Sequence, residues 1–272
     1  MLNGLDLFSG IGGLSIALSE WVRPIAYCEI DPYCQGVLLS RMASGLLREA
    51  PLWDDIRNLA IRQSNYAKLI DILYGGFPCQ DISVAGRGKG LAGERSGLFF
   101  QIVRLAKEIK PAFIFLENVP AIRTRGLDRV IQELTQVGYD CRWTMLSAAD
   151  IGANHKRQRW FLLAHAKCTQ RGPVSEKRDE PNGDDSRWQE ATSGIGKRCE
   201  NVSDAARQLP HGSGAEGNGR PKPSDSDWWE VEPNVGRVVD GIPNRVDRLK
   251  CLGNAVVPLQ AKTAFKELMG IK

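Results

Sequence analysis

Four short, almost wholly apolar runs dominate the first 165 residues: LDLF at 5–8, PIAYCEI at 24–30, LIDILYGGFP at 69–78 and AFIFLENV at 112–119. Each reads as a strand buried on both faces, because a strand with one wet face would alternate apolar with polar residues. Between them, 14–21, 33–39 and 99–109 carry apolar residues at helical spacing. Strands alternating with helices predict an α/β domain whose mostly parallel sheet is covered by helices on both sides. Such sheets bind ligands beyond the carboxyl ends of their strands, so the residues closing each run are the first candidates for function.

Composition sets outer limits. The 272 residues are 42% hydrophobic and 25% charged, with 36 Lys and Arg against 32 Asp and Glu and a net charge of +4. That excludes a collagen-like, wholly disordered or low-complexity chain and suits one large domain, alone or with a small one. No run reaches the roughly 18 to 20 apolar residues of a membrane span, and MLNGLDLFSG lacks the basic start and apolar stretch of a secretory signal. A cytoplasmic protein with no membrane partner is expected. The seven cysteines (28, 34, 79, 141, 168, 199 and 251) never form CxxC, so neither a disulfide framework nor a metal site is indicated. Any cysteine that matters is expected to act alone, as a thiolate.

Three regions are expected: a catalytic domain at 1–165, a small polar segment at 166–235, and a return at 236–272. From 166 to 227 the chain is rich in Gly, Pro, Ser and both charges and poor in Val, Ile and Leu, which reads as a poorly structured insertion, with a small ordered module as the other reading. Apolar positions between 255 and 268 then suit a closing helix.

The first run passes directly into Ser9-Gly10-Ile11-Gly12-Gly13 and a helical pattern. Strand, glycine turn and helix make a ligand cradle, since glycine permits close backbone approach and a helix start presents free N–H groups. The second run ends in Glu29, placed as a carboxylate that takes both hydroxyls of a ribose, with Asp31 and Asp55 as further acids near strand ends. No basic residue occupies the turn, which favours a ligand containing adenosine but no pyrophosphate. A tight structural turn is the plainer alternative.

The third run opens into Gly75-Gly76-Phe77-Pro78-Cys79-Gln80, and then a polar, glycine-rich loop. An arbitrary free cysteine is usually core, but one at a strand-to-loop edge beside proline is accessible. With an ordinary pKa near 8.5 it is only about 3% thiolate at pH 7, so a site using it must lower that value or protonate the substrate as it attacks. The fourth run ends in Glu117-Asn118-Val119-Pro120, where burial would raise the carboxyl pKa and allow proton donation to a ring nitrogen. Arg157 and Arg159 precede another apolar run at a spacing that puts both on one face of a strand, suited to a phosphate or a carbonyl oxygen. Arg87, Lys89 and Arg95 offer phosphate contacts, with a solvated basic loop as the equal alternative.

In this order the blocks closely resemble the DNA cytosine-5 methyltransferases of bacteria and phages. DLFSGIGG at 6–13 is similar to that family's S-adenosyl-L-methionine motif, GGFPCQDIS to its catalytic loop, ENV to its cytosine-pocket glutamate, and GNAVVP at 253–258 to its C-terminal cofactor motif. The likeness covers roughly 3–165 and 230–270. It implies a Rossmann-like S-adenosylmethionine-dependent methyltransferase fold, α/β and doubly wound, with a mixed seven-stranded sheet and a small, poorly structured target-recognition lobe.

Residue by residue, the resemblance puts Phe8 on the adenine ring, Ser9 and the Gly10, Ile11, Gly12, Gly13 turn along the methionine part, and Glu29 on the ribose hydroxyls. It puts Asp55 on the adenine amino group, Ile30 and Ile56 against the ring, and Asn254 at the pocket's closure. Cys79 becomes the nucleophile with Pro78 as its orienting neighbour, Glu117 the group at cytosine N3 and the exocyclic amine, Asn118 its support, Arg159 the ligand of O2 and Arg157 a buttress. Gln80, Ser83, Arg87, Lys89 and Arg95 fall to DNA. His155 stands where the family usually carries Gln. Double-stranded DNA is the implied partner, the chain is expected to be a monomer, and a cognate restriction endonuclease is a compatible companion. An RNA cytosine methyltransferase of the same fold and an inactive DNA-binding accessory protein are the alternatives. A nicotinamide-dependent dehydrogenase fits the glycine turn and Glu29 but leaves FPCQ, ENV and GNAVVP unexplained.

Overall fold

The computed structural model describes residues 1–60, 65–78, 96–167 and 245–271. The expected loop residues Cys79, Gln80, Ser83, Arg87, Lys89 and Arg95, and nearly all of the polar segment at 166–235, lie outside them. The described strands form one seven-stranded sheet: β1 (Leu2–Leu7), β2 (Val22–Cys28), β3 (Leu52–Trp53), β4 (Ile72–Gly76), β5 (Phe113–Asn118), β6 (Tyr139–Ser147) and β7 (Gln158–Ala166). Their order is β3-β2-β1-β4-β5-β7-β6, parallel except that β7 runs antiparallel to both its neighbours. This is the α/β sheet that the apolar pattern predicts, in the mixed, doubly wound form that the resemblance implies.

Helices cover both faces, which is why the central strands are almost wholly apolar. Leu73, Ile114, Leu116, Trp160 and Leu162 pack on one side with α3 (Phe99–Ile109) and α5 (Leu127–Gln136), which follows the one-turn α4 (Ile122–Arg125). Their alternates Ile72, Tyr74, Phe113, Phe115 and Phe161 pack on the other side with α1 (Gly13–Leu18) and the C-terminal α7 (Pro258–Met269). Here the Phe265 ring lies 5.2 Å edge-on from Phe115 and 5.6 Å from Trp21. A smaller cluster seats α2 (Pro32–Ala43) through Leu38 and Met42 against Tyr27.

Several boundaries differ from the sequence reading, each for a local reason. Phe8 is not the end of β1: it leaves the strand with φ 54°, a left-handed conformation unusual for a large side chain. Glu29 and Ile30 fall just beyond β2. The closing helix does not begin at 255, because Pro258 excludes helical backbone from the residue before it, and Val257 is extended at φ −79°, ψ 113°. A separate helix, α6 (Arg245–Asn254), ends there instead. The sheet's outer strand β6 was not expected, because its half-exposed mix of charged and apolar residues lacks the signature of a buried run.

Winding reverses between β1 and β4, which lie side by side in parallel, with Leu7 opposite Gly75. The crossovers from these two strands go to opposite sides and leave a crevice at their carboxyl ends. The glycine turn at 8–13 and the Phe77-Pro78 corner therefore open onto the same edge.

Candidate active site

One wall of the crevice is the turn after β1. Gly10 (φ 55°) and Gly12 (φ 82°) adopt left-handed backbone, and a side chain at Gly12 would meet Leu47 at 2.5 Å. Among the described residues, a side chain at Gly10 would meet nothing nearer than the Phe8 carbonyl at 4.0 Å, so they leave space in front of the turn at that point. Buried Ser9 ties the turn to β2: its backbone N–H donates to the Cys28 carbonyl at 3.0 Å, and its Oγ accepts from the Cys28 N–H at 3.2 Å. Glu29, buried and just past β2, accepts from the Gly10 N–H at 2.7 Å through one oxygen and from the Asp31 N–H at 2.8 Å through the other. It is thus a structural clamp as well as a candidate ligand group, and a carboxylate keeps further acceptor sites after two such bonds.

Below the turn, Asp6 is fully buried and accepts from the Ser15 hydroxyl at 2.6 Å, with Tyr74 Oη 2.7 Å beyond. Burial pushes its carboxyl up to about 7, against the opposing pull of Ser15. Ile30 is exposed, Ile56 is buried in the core and Asn254 is exposed at the end of α6. Both oxygens of Asp55 are taken by the Arg57 side chain at 2.6–3.0 Å, so a ligand at that carboxylate would have to share it.

The other wall is built from β4, β5 and β7. Two contacts account for the glycine pair of β4: a side chain at Gly75 would lie 2.1 Å from the Leu7 carbonyl, and one at Gly76 would lie 2.7 Å from Glu117 Oε2. Gly76 stands opposite Glu117 in the sheet, and the carboxylate occupies the space a Cβ would fill. Arg159 Nε donates to Glu117 Oε1 at 2.8 Å. Burial pushes the Glu117 carboxyl up to about 7 even so, with the Arg159 and Arg157 charges pulling it down. Asn118, also buried, donates from Nδ2 to the Phe77 carbonyl at 3.2 Å and accepts from the Val119 N–H at 2.8 Å. It thereby fixes the backbone immediately before Pro78, which is half-buried at the corner.

Arg157 reaches away from this pocket, donating from Nη2 to the carbonyls of Gly253 at 2.8 Å and Ala255 at 2.6 Å. The C-terminal return is thus bolted to the start of β7, and Val256 packs so closely on Gly13 that a side chain there would meet it at 2.9 Å. Gln260, fully buried on α7, donates to the carbonyls of Leu146 and Arg157, both at 2.7 Å. Sequence reading missed this residue, although a glutamine sharing a helix face with Ala264, Phe265 and Leu268 is a readable signal. Pro120, His155, Lys156, Arg157, Gln158 and Arg159 line an open, basic groove beside Glu117. Only Arg159, on β7, bonds Glu117; Arg157 falls one residue before the strand and turns to the return segment, so the two arginines do not share a strand face as their spacing suggested.

Of the predicted residues, the structure brings Phe8 to Gly13 and Glu29 together on one wall, and Pro78, Glu117, Asn118 and Arg159 on the other. Arg157 links the second wall to the return segment.

A family model described as C-5 cytosine-specific DNA methylase matches residues 2–212. The chain is 37% identical over 164 residues to the Type II methyltransferase M.CviJI of Paramecium bursaria Chlorella virus IL3A, covering 60% of this chain and 43% of that protein. It is 34% identical over 169 residues to the Type II methyltransferase M.HhaI of Haemophilus parahaemolyticus, covering 60% and 48%. The chain thus spans just under half the length of these curated relatives. Among solved structures, the Entamoeba histolytica methyltransferase EhMeth superposes with a TM-score of 0.51 at 20% identity, over 66% of this chain and 58% of that one, a likeness of fold.

Proposed function

The chain belongs to the C-5 cytosine-specific DNA methylase family, and from that premise we propose that it transfers a methyl group from S-adenosyl-L-methionine to C5 of a cytosine flipped out of duplex DNA. The observation carrying this reading is Glu117: a buried carboxyl with its pKa pushed up to about 7, seated over Gly76 and oriented by Arg159 beside the Phe77-Pro78 corner.

The turn after β1 fits the methyl donor. The described residues leave space in front of Gly10, the buried Glu29 carboxylate stands at the same mouth, and no cation is present in the turn to call for a pyrophosphate. Phe8 would stack on adenine with Ile30 and Ile56, Asp55 would accept from its amino group, Glu29 would hold the ribose hydroxyls, Ser9 to Gly13 would follow the methionine part, and Asn254 would close the pocket. When bound, the donor supplies an electrophilic methyl group on a sulfonium sulfur.

Cytosine C5 is too weak a nucleophile to take that methyl unaided. The Cys79 thiolate adds to C6 while protonated Glu117 donates toward N3, so that the electron pair arrives at C5 and not as charge on the ring. Arg159 holds O2, and Pro78, fixed through the Asn118 bond to Phe77, sets the direction of the cysteine. C5 of the base, now nucleophilic, would take the methyl group and leave S-adenosylhomocysteine; water then removes the C5 proton, the C6–S bond breaks to return the Cys79 thiolate and the aromatic ring, and N3 gives its proton back to Glu117. A stacked base cannot reach such a crevice, so the target leaves the duplex. Gln80, Ser83, Arg87, Lys89 and Arg95 would follow the DNA backbone, as would the basic groove by His155. The polar segment at 166–235 would serve target recognition. The chain would act as a monomer in the cytoplasm, with or without a partner endonuclease.

Transfer of labelled methyl groups to duplex DNA, wild type beside Cys79→Ala, tests the reading, with bisulfite sequencing to locate the product. Transfer lost in the variant with donor binding intact is the expected result. Normal turnover by Cys79→Ala would overturn the mechanism, and labelling of RNA alone would overturn the substrate.

A further inference from the structure

Composition suggested that each cysteine stands alone, yet two meet across the fold. Cys34, in the first turn of α2, and Cys251, in α6, are 217 positions apart, and their Sγ atoms lie 2.9 Å from each other. That is inside the van der Waals contact of two sulfurs and less than an ångström beyond a disulfide bond of about 2.05 Å. Both are free thiols and both are buried. The junction around them is reinforced: Asp31 caps α2 by accepting from the Cys34 N–H at 3.3 Å, and Lys250, next to Cys251, pairs with the other oxygen of Asp31.

Both helices border the same crevice. Three residues before α2 stands Glu29, whose carboxylate holds the glycine turn. Three residues after Cys251 stands Asn254, and the following stretch packs on Gly13. We propose that Cys34 and Cys251 are a redox-reversible modification site, reduced at rest and joined as a disulfide by glutathione disulfide or a like low-molecular-weight disulfide, so that the C-terminal return is locked onto the donor-binding wall. The atoms balance as ordinary exchange. One thiolate attacks a glutathione sulfur and expels glutathione thiolate; the second attacks the mixed disulfide and expels the other glutathione. Two cysteine protons end on two glutathione thiols, and the protein loses two electrons.

Burial, the contact with Cys251 and the nearby charges of Glu29 and Asp31 keep Cys34 protonated. Exchange therefore requires α6 to part transiently from α2, which breaks the Lys250–Asp31 pair at the junction. Nucleophilic Cys79 has no part in this bond. The consequence for donor exchange rests on the function proposed above, while the bond itself does not.

The full chain is equilibrated in glutathione buffers of graded oxidation, quenched by acid, alkylated and mapped by mass spectrometry without reduction. The expected product is a cross-linked peptide pair holding Cys34 and Cys251, about 2 Da lighter than the sum of the two reduced peptides and restored by dithiothreitol. It is absent from Cys34→Ala and from Cys251→Ala. The oxidised protein should melt several degrees higher, because a loop this long is closed in the unfolded chain, and should release S-adenosylhomocysteine about tenfold more slowly, as α6 can no longer lift. Mixed glutathione adducts at both positions without the cross-link, or a cross-link to other cysteines, would overturn the site. A cross-link that forms while release stays unchanged would overturn the lock. If reduced protein binds no donor at all, it is the methyltransferase reading that fails, and the mapping still decides the bond.

Discussion

Glu117 offers the sharpest test of the site, because its environment makes a quantitative statement about stability. Its carboxyl moves from an ordinary 4.5 to about 7 on folding, chiefly by burial. A group whose folded pKa is raised stabilises the fold fully below its unfolded pKa, and this contribution is lost as pH rises through the folded value. Between pH 5.5 and 8 the native residue gives up its proton while the unfolded one has already done so, which removes about 2 kcal/mol. Glu117→Gln keeps the shape and cannot titrate, so it abolishes that part of the slope. Asp6, also raised to about 7, contributes its own slope to both proteins and cancels in the comparison. Urea unfolding at half-unit steps from pH 5.5 to 8 should show wild type losing about 2 kcal/mol more than the variant over the range. Parallel curves would mean that Glu117 is not held protonated near neutrality, and its role as proton donor toward N3 would fall with that.

Gly76→Ala would place a methyl carbon 2.7 Å from Glu117 Oε2 and push the carboxylate off Arg159. We expect methyl transfer to fall more than about tenfold with donor affinity unchanged, compared by turnover assay and calorimetry; full activity would show that the seat of Glu117 is unimportant. Glu29→Ala removes the acceptor of two backbone N–H groups. It should cost about 2 kcal/mol in urea unfolding and weaken donor binding; an unchanged dissociation constant would refute the ribose assignment.

What could be read from the sequence divides along a physical line. Glu117, Pro78, Gly76 and Glu29 were visible because each sits where a buried run ends, and a polar group costs too much inside such a run to be placed there idly. Their partners were not visible. That Glu29 binds the Gly10 N–H, that Arg157 holds the carbonyls of Gly253 and Ala255, and that Cys34 touches Cys251 depend on contacts between segments up to 217 residues apart, which no local spacing encodes. The break at Pro258 was readable in principle, since the residue before a proline resists helix, but the apolar pattern from 255 to 268 masked it.

The same line explains why the motifs stand in this order and how widely they can be separated. β1, β4 and β5 are parallel neighbours, so their carboxyl ends meet at one edge whatever lies in the crossovers, and Leu7, Gly75 and Leu116 fall in register across more than a hundred residues of chain. β7, antiparallel to β5, brings its beginning to that edge, which is why Arg157 and Arg159 stand at the start of this strand while Glu117 and Glu29 stand at or just past the ends of theirs. The described part of the return segment adds no strand to the sheet and is held by side chains: Phe265 against Phe115, Arg157 to two carbonyls, Gln260 to two more, Lys250 to Asp31, and Cys251 against Cys34. Of these fastenings, Lys250 to Asp31 and Cys251 against Cys34 run between helices and touch no strand, so on the proposal above the α2–α6 junction can part without disturbing the sheet and would govern access to the donor pocket.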